Sequence, residues 1–382
     1  YYYATGIAAS SYYGTTVVAT AASDVEASAL LVAIGIEARS EYGNVSVTNA
    51  GDVTVEGVYG GGVGIQAYSG LGNVTAANSG QVLASSTYGT AIGVTGYSVL
   101  GNSNVGNSGT IDAAGYYGAY GIVSQSEYGS AVAGNTSTGH IHAEAPSHAY
   151  GMFARAYGAV TVNNAGSVSA SADAGGIAAA VLMESLHGSS TLNNASTGVI
   201  GVSGTDGYAF AVIGSDAVDT INNSGRINGA LSLYAGNDVF NNAASGTWDV
   251  GGTLSTDFGD GDDVVNNAGL VRFNDGAISF GGADASNRFN NTGTVRAFGE
   301  NLVSMGDGVF TNSNLLDFID GHTDDALAIE GDFAGTGRMN IDLDLAGSAD
   351  QLFIDGSVAA NAVQTVNVLF EGMPTTAHTS VA

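Results

Sequence analysis

Short runs in which every second residue is apolar, parted by glycine-rich turns, recur from one end of the chain to the other. Between residues 44 and 73, Val45 and Val47 alternate with Ser46, and Val53 and Val55 with Thr54. Val63, Ile65 and Ala67 follow the same rule around Gly64 and Gln66. A period of two marks a strand with one buried face, so this segment predicts three short strands. Turn signals separate them: Asn49-Ala50-Gly51-Asp52, then Gly57 to Gly62, then Gly70 and Gly72. Nowhere is the i, i+3, i+4 spacing of an amphipathic helix sustained over a helix's length.

The first of these turns repeats. Asn49, Asn78, Asn107, Asn135, Asn164, Asn194, Asn223, Asn242, Asn267, Asn291 and Asn312 occupy like positions, with gaps of 29, 29, 28, 29, 30, 29, 19, 25, 24 and 21 residues. A fixed period of this length means a stack of like units. Three strands and three turns make one coil of an all-β, right-handed parallel β-helix (a β-solenoid). Each coil bonds to the next at roughly 4.8 Å, and about fourteen coils give a rod of roughly 65 to 70 Å. Leucine-rich repeats are excluded because no L-x-x-L-x-L pattern recurs. In such a stack each turn Asn can pair its amide with those above and below. The Gly two residues later is expected to supply a left-handed backbone.

Two further columns keep the register. One runs through Tyr13-Gly14, Tyr42-Gly43, Leu71-Gly72, Leu100-Gly101, Tyr128-Gly129, Tyr157-Gly158 and His187-Gly188. The other runs through Gly6-Ile7, Gly35-Ile36, Gly64-Ile65, Gly93-Val94, Gly121-Ile122 and Gly151-Met152. Stepping back from Asn49 lands on Thr20, so a coil without Asn is expected to precede the first clear one. Coils of about 29 residues fill positions 1–215 and carry most of the Tyr. From 216 to 330 the coils shorten and gain Gly-Asp turns, and from 331 to 371 the Asn turn is gone. Residues 372–382, with Pro374 and several Thr, read as a linker. The chain opens at Tyr1 in mid-repeat, from which we expect the natural protein to extend further at that end.

Composition narrows the partners. Acidic residues number 35 against 7 basic ones, all Arg, for a net charge of −28. Nucleic acid and anionic lipid are disfavoured, because both need cations. With 45% hydrophobic and 11% charged residues the chain is not a disordered acidic tail. The absence of Cys removes disulfide and thiolate chemistry and suits passage through an oxidising compartment. The longest apolar run, near Ala27 to Ile36, is about half of a membrane span.

The C-terminal block resembles the end of the passenger domain of type Va autotransporters, which carry a pertactin-like β-helix. A G-x-F-x-G-x-G stretch is met at Gly331 to Gly337, an alternating strand at Met339 to Leu345, and a G-S-A-D-x-L-x-I-x-G-x-V run at Gly347 to Val358. The Asn-turn coils upstream look like the β-helix of the same passengers. The resemblance implies export across the outer membrane of a Gram-negative bacterium with the help of a translocator β-barrel. It also implies that residues 331–371 act as a C-terminal cap that helps nucleate folding. The sequence departs from whole family members in stopping at Ala382, before any such barrel.

Candidate sites are few. The Gly-Asp turns resemble stacked calcium-binding turns, which would place Asp238, Asp262, Asp263, Asp284 and Asp307 along one edge. Solvated turn carboxylates are the competing reading. The run Gly139 to Glu144 would put His140, His142 and Glu144 on one outer strand face, a candidate zinc set. Alternate residues on one strand stand about 6.8 Å apart, which does not close easily on a metal. The Tyr-rich half could stack rings for a glycan or a partner, or merely cover coil edges. Catalytic chemistry is thin: there is no G-D-S-G nucleophile motif, no Lys for proton abstraction, and 6 His. The Asp260 to Asp263 cluster is the one source of paired carboxylates for glycoside hydrolysis.

The expected function is therefore a non-catalytic passenger at the bacterial cell surface or outside the cell. It would act as an adhesin or self-association factor toward its own copies, host glycan or matrix. The alternatives are a polysaccharide-active enzyme grafted on the β-helix, and a structural protein that polymerises through exposed coil edges into a fibre or coat.

Overall fold

The computed structural model describes residues 2–20, 23–203, 208–251, 254–282 and 286–370. All regular elements among them are strands, coiled into a right-handed parallel β-solenoid. The long coils up to Ser185 each contribute a nine-residue strand to a first face, such as Val32–Ser40 and Gly61–Ser69. A five-residue strand follows on a second face, such as Val45–Asn49 and Val74–Asn78, then one on a third, such as Val53–Gly57. The third face is a sheet of 14 strands, one per coil. The first and second faces form one sheet of 25 strands, because the bent strand Glu300–Asn312 pairs with Ala277–Ser279 on the first face and Arg288–Asn291 on the second.

Register is held by stacked polar columns as much as by the core. The second-face strands end in a buried Asn, and each passes its amide proton to the next coil. Asn49 Nδ2 donates to Asn78 Oδ1 at 2.8 Å, and the chain of bonds continues through all eleven residues to Asn291 and Asn312 at 2.8 Å. Gln364 closes the column by accepting from Asn312 at 2.8 Å. The coil before Asn49 offers the Thr20 hydroxyl to the free Asn49 oxygen. At the corner between the first and second faces a buried Ser does similar work: Ser40 Oγ donates to Gly14 O at 2.8 Å and accepts from Gly43 N at 2.9 Å. The same pair of bonds recurs at Ser69, Ser126 and Ser185.

The glycine at the Asn turn is needed for space, not for a left-handed backbone. None of Gly51, Gly80, Gly109, Gly166, Gly225, Gly269 and Gly293 is among the positive-φ residues. A Cβ on Gly80 would instead stand 2.1 Å from the carbonyl oxygen of Gly51 one coil below. The Gly-Ile column has a related cause. A Cβ on Gly64 would meet Val82 Cγ1 at 2.3 Å, and one on Gly93 would meet Ile111 Cγ2 at 2.2 Å. The β-branched residue of the third face presses into the first face there, so the tube is thin at each glycine.

At the C-terminal end the stack continues rather than changing fold. Ala326–Ala334 and Gln351–Ile354 extend the first face, while Arg338–Leu343 and Thr365–Phe370 end the third. Residues 372–382, read as a linker, lie outside the described residues.

Candidate functional site

A parallel solenoid offers function only its outer faces and its seams, because the interior is filled. The outer side of the first face changes character along the rod. One register column runs Glu37, Gln66, Thr95, then Val123, Phe153, Leu182 and Ile213. A second runs Ile34, Val63, Ile92, Tyr120, Tyr150, Ala179 and Phe210. Where both columns are apolar they form a hydrophobic cluster separate from the core, with Ala179, Leu182 and Ile213 packed among Tyr150, Phe153, Ile177 and Phe210. Tyr120 and Tyr150 lie with ring centroids 5.2 Å apart. Burial pushes both phenols up, Tyr150 to about 12, so both stay neutral hydrogen-bonding groups at physiological pH. A groove of about 560 Å³ adjoins this cluster where the coils begin to shorten, with Leu182 and Ile213 as floor and Glu184, Asp216 and Tyr234 at its rim.

The other outer tyrosines form short stacks: Tyr59 on Tyr88 at 5.4 Å, Tyr68 on Tyr97 at 5.7 Å, and Tyr13 on Tyr42 at 5.2 Å. Burial and a hydrogen bond to Glu127 push Tyr97 up to about 12.

A second groove, of about 650 Å³, lies on the third face of the short coils. Here Asn228, Asp249, Arg272, Arg296, Asp317 and Asn340 occupy one outward register column. Arg226 joins it by bonding Asp249 Oδ2 through Nη2 at 2.8 Å and Nε at 3.0 Å. Arg272 reaches the other oxygen of that carboxylate at 3.4 Å, and Arg296 bonds Asp317 at 2.9 Å. The Phe298 ring lies 5.7 Å from the Arg296 guanidinium.

The proposed calcium residues do not share one edge. Asp238 and Asp263 point into the rod and are fully buried, whereas Asp262 and Asp307 are exposed; Asp284 lies outside the described residues. Adjacent residues on a strand face opposite ways, which separates Asp262 from Asp263. The inward carboxylates belong to another column: Asp219 N donates to Asp238 Oδ1 at 2.7 Å, Asp238 N to Asp263 Oδ1 at 2.8 Å, and Asp263 N to Asn287 Oδ1 at 2.9 Å. Burial raises these acids to about 7, 8 and 7 for Asp219, Asp238 and Asp263, and their backbone hydrogen bonds offset only part of that. One oxygen of each lacks a partner, which suits a protonated carboxyl. A second buried set, Asp325, Asp342 and Asp350, ties the last coils: Asp350 accepts from Asp342 N at 2.7 Å and Asp325 N at 3.2 Å.

His140, His142 and Glu144 do share the outer side of their strand, with Ile141 and Ala143 inward. Each imidazole is tied to the next coil, His140 Nδ1 to Ser167 Oγ at 2.8 Å and His142 Nδ1 to Ser169 Oγ at 2.9 Å. His142 and Glu144 stand 3.8 Å apart. Among the described residues no group of three His, Asp or Glu side chains converges as a metal site.

Sequence reasoning missed an outer Asn ladder beside the buried one. Asn193 donates to Asn163 at 2.9 Å, Asn222 to Asn193 at 3.0 Å, and the bonds continue through Asn241, Asn266 and Asn290. Its signal was the Asn-Asn doublet in successive coils. Protons pass toward the N-terminus in this ladder and toward the C-terminus in the buried one.

The fold defines the chain as a parallel β-solenoid compatible with a pertactin-like passenger. Compared with known proteins, it matches no family model and no curated sequence.

Proposed function

We propose that the chain is a secreted or surface-displayed, non-catalytic rod that joins cells to one another by lateral self-association, exported as an autotransporter passenger. The observation that carries this reading is the apolar cluster on the outer side of the first face, where the half-buried Tyr150, Phe153, Ile177 and Phe210 cover Ala179, Leu182 and Ile213. The half-exposed rings of that cluster form a contiguous apolar patch, and such a patch is a mark of an association site. On a rod of charge −28, copies repel except where charge is absent. Two copies meeting through the same patch would form a closed two-fold contact. The C-terminal motifs at Gly331 to Gly337 and Gly347 to Val358 support the export route. Calcium or salt should promote clumping by screening the remaining charge.

The test is aggregation of cells that display the chain, parent against Tyr150→Ser with Phe153→Ser, with purified protein checked for unchanged circular dichroism. A several-fold loss of aggregation in the double variant is expected. Equal aggregation by a folded double variant, or none by the parent at any salt or calcium level, would overturn the reading.

A further inference from the structure

Four of the seven arginines, Arg226, Arg272, Arg296 and Arg338, lie on the third face within the short coils and the cap. Three of them line one groove, against the two carboxylates of Asp249 and Asp317. That patch carries an excess of one positive charge in a chain whose net charge is −28. Arg272 and Arg296 are register partners on adjacent strands, so their backbones stand about 4.8 Å apart, and each side chain reaches to its own carboxylate, Arg272 to Asp249 and Arg296 to Asp317. Like charges in that relation are destabilising, and a chain this rich in acids had carboxylates to spare for either position. Arg272 is the least neutralised of the three. Its carboxylate contact, at 3.4 Å, is to an Asp249 already held twice by Arg226.

We infer that this groove is a binding site for an anionic polysaccharide running along the rod axis. Guanidinium groups pair carboxylate and sulfate oxygens bidentately, and Arg272 and Arg296, one coil apart, meet successive acidic sugars. The Asn228 and Asn274 amides in the lining suit sugar hydroxyls, and Phe298 offers an apolar wall for a ring face. The site lies on a different face from the apolar cluster, so it stands or falls independently of self-association.

The experiment is calorimetric titration of the purified chain with three probes: a short oligogalacturonate, a dextran sulfate fragment and neutral dextran. Binding of one or both anionic probes but not of dextran, weakening with added salt, is expected. The two anionic arms tell a carboxylated from a sulfated ligand. Arg272→Gln should weaken binding at least tenfold with an unchanged melting temperature, and Arg39→Gln on the first face should leave it unchanged. Binding of neither anionic probe, equal binding of dextran, or equal loss in Arg39→Gln would overturn the proposal. Should Arg272→Gln unfold, Arg272→Lys keeps the charge without the fork, and full affinity in it would overturn the bidentate assignment.

Discussion

The long coils, up to about residue 215, and the short coils that follow fill the same tube in opposite ways. The buried core of the long coils is Ala, Val, Ile, Leu and Met, and glycine columns let the third face press against the first. In the short coils the interior is aromatic: Phe240 meets Trp248 at 4.5 Å, Phe258 stacks on Phe280 at 4.8 Å, and Phe289 on Phe310 at 4.6 Å. Glycine changes role with them. Among the described residues every positive-φ glycine except Gly175 lies at or beyond Gly229. A coil of 19 to 25 residues must turn its corners in fewer steps, and Gly259, at φ 80°, supplies a left-handed step that other residues resist. The same residue type thus provides room in one region and angle in the other.

The sharpest way to test that contrast is to empty the aromatic interior. Trp248→Ala should cost about 3–5 kcal/mol, and because coils contact only their neighbours the damage should stay local. Hydrogen exchange should show amides of the short coils losing protection while those near Val47 and Ile65 keep theirs. Uniform loss would mean that the two regions unfold as one.

Next in size is a break in the column that both regions share. Asn223→Ala sits at the junction and orphans Asn242 Oδ1, while Asn194 Nδ2 loses one acceptor and keeps Gly198 O and Arg226 O. With about 1–3 kcal/mol for the orphaned buried oxygen, a loss of that size is expected in urea unfolding. A neutral result would show that the ladder only accompanies the register set by the strands.

In the long coils, Gly93→Ala should destabilise by about 1–3 kcal/mol through overpacking against Ile111. Paired with Ile111→Ala, its cost should be less than additive in a double-mutant cycle. Full additivity would contradict the spatial role assigned to that glycine.

The last contrast is a pH response carried by the buried acids of the short coils. Burial raises the folded pKa values of Asp219, Asp238 and Asp263 above the ordinary carboxylate value of 3.8, to about 7, 8 and 7. The folded state therefore holds more protons than the unfolded one between those limits. The stabilisation is complete below about pH 4 and is lost as pH rises through about 7 to 8. Fluorescence of Trp248, the one Trp, should report a melting temperature lower by a few degrees at pH 9 than at pH 5. Asp238→Asn, which repeats the neutral acceptor already present at Asn287, should flatten part of that drop. A slope unchanged by the substitution would place the titrating groups elsewhere.

Much of this was legible because a solenoid writes its fold as a period. The Asn turn, the Tyr-Gly corner and the Gly-Ile column recur once per coil, and a residue that must meet its own kind one coil away cannot drift in sequence position. The candidate sites were less legible. Asp262 and Asp263 read alike in the Gly-Asp turns, yet one is solvated and the other buried. The outward position of Val123, Phe153 and Leu182 is not plain in the alternation, because the backbone at each Gly-Ile column sets two successive residues inward and shifts the pattern that tells inside from outside.

The sequence by itself determined the repeat, the three strands per coil and the parallel stacking, since periodicity and turn chemistry act within one coil. Only the tertiary structure decided which carboxylates are buried, which apolar residues face outward, and that Arg226, Arg272 and Arg296 share a groove. Those relations join residues 19 to 30 positions apart through the pitch and register of the stack, and no single coil contains them.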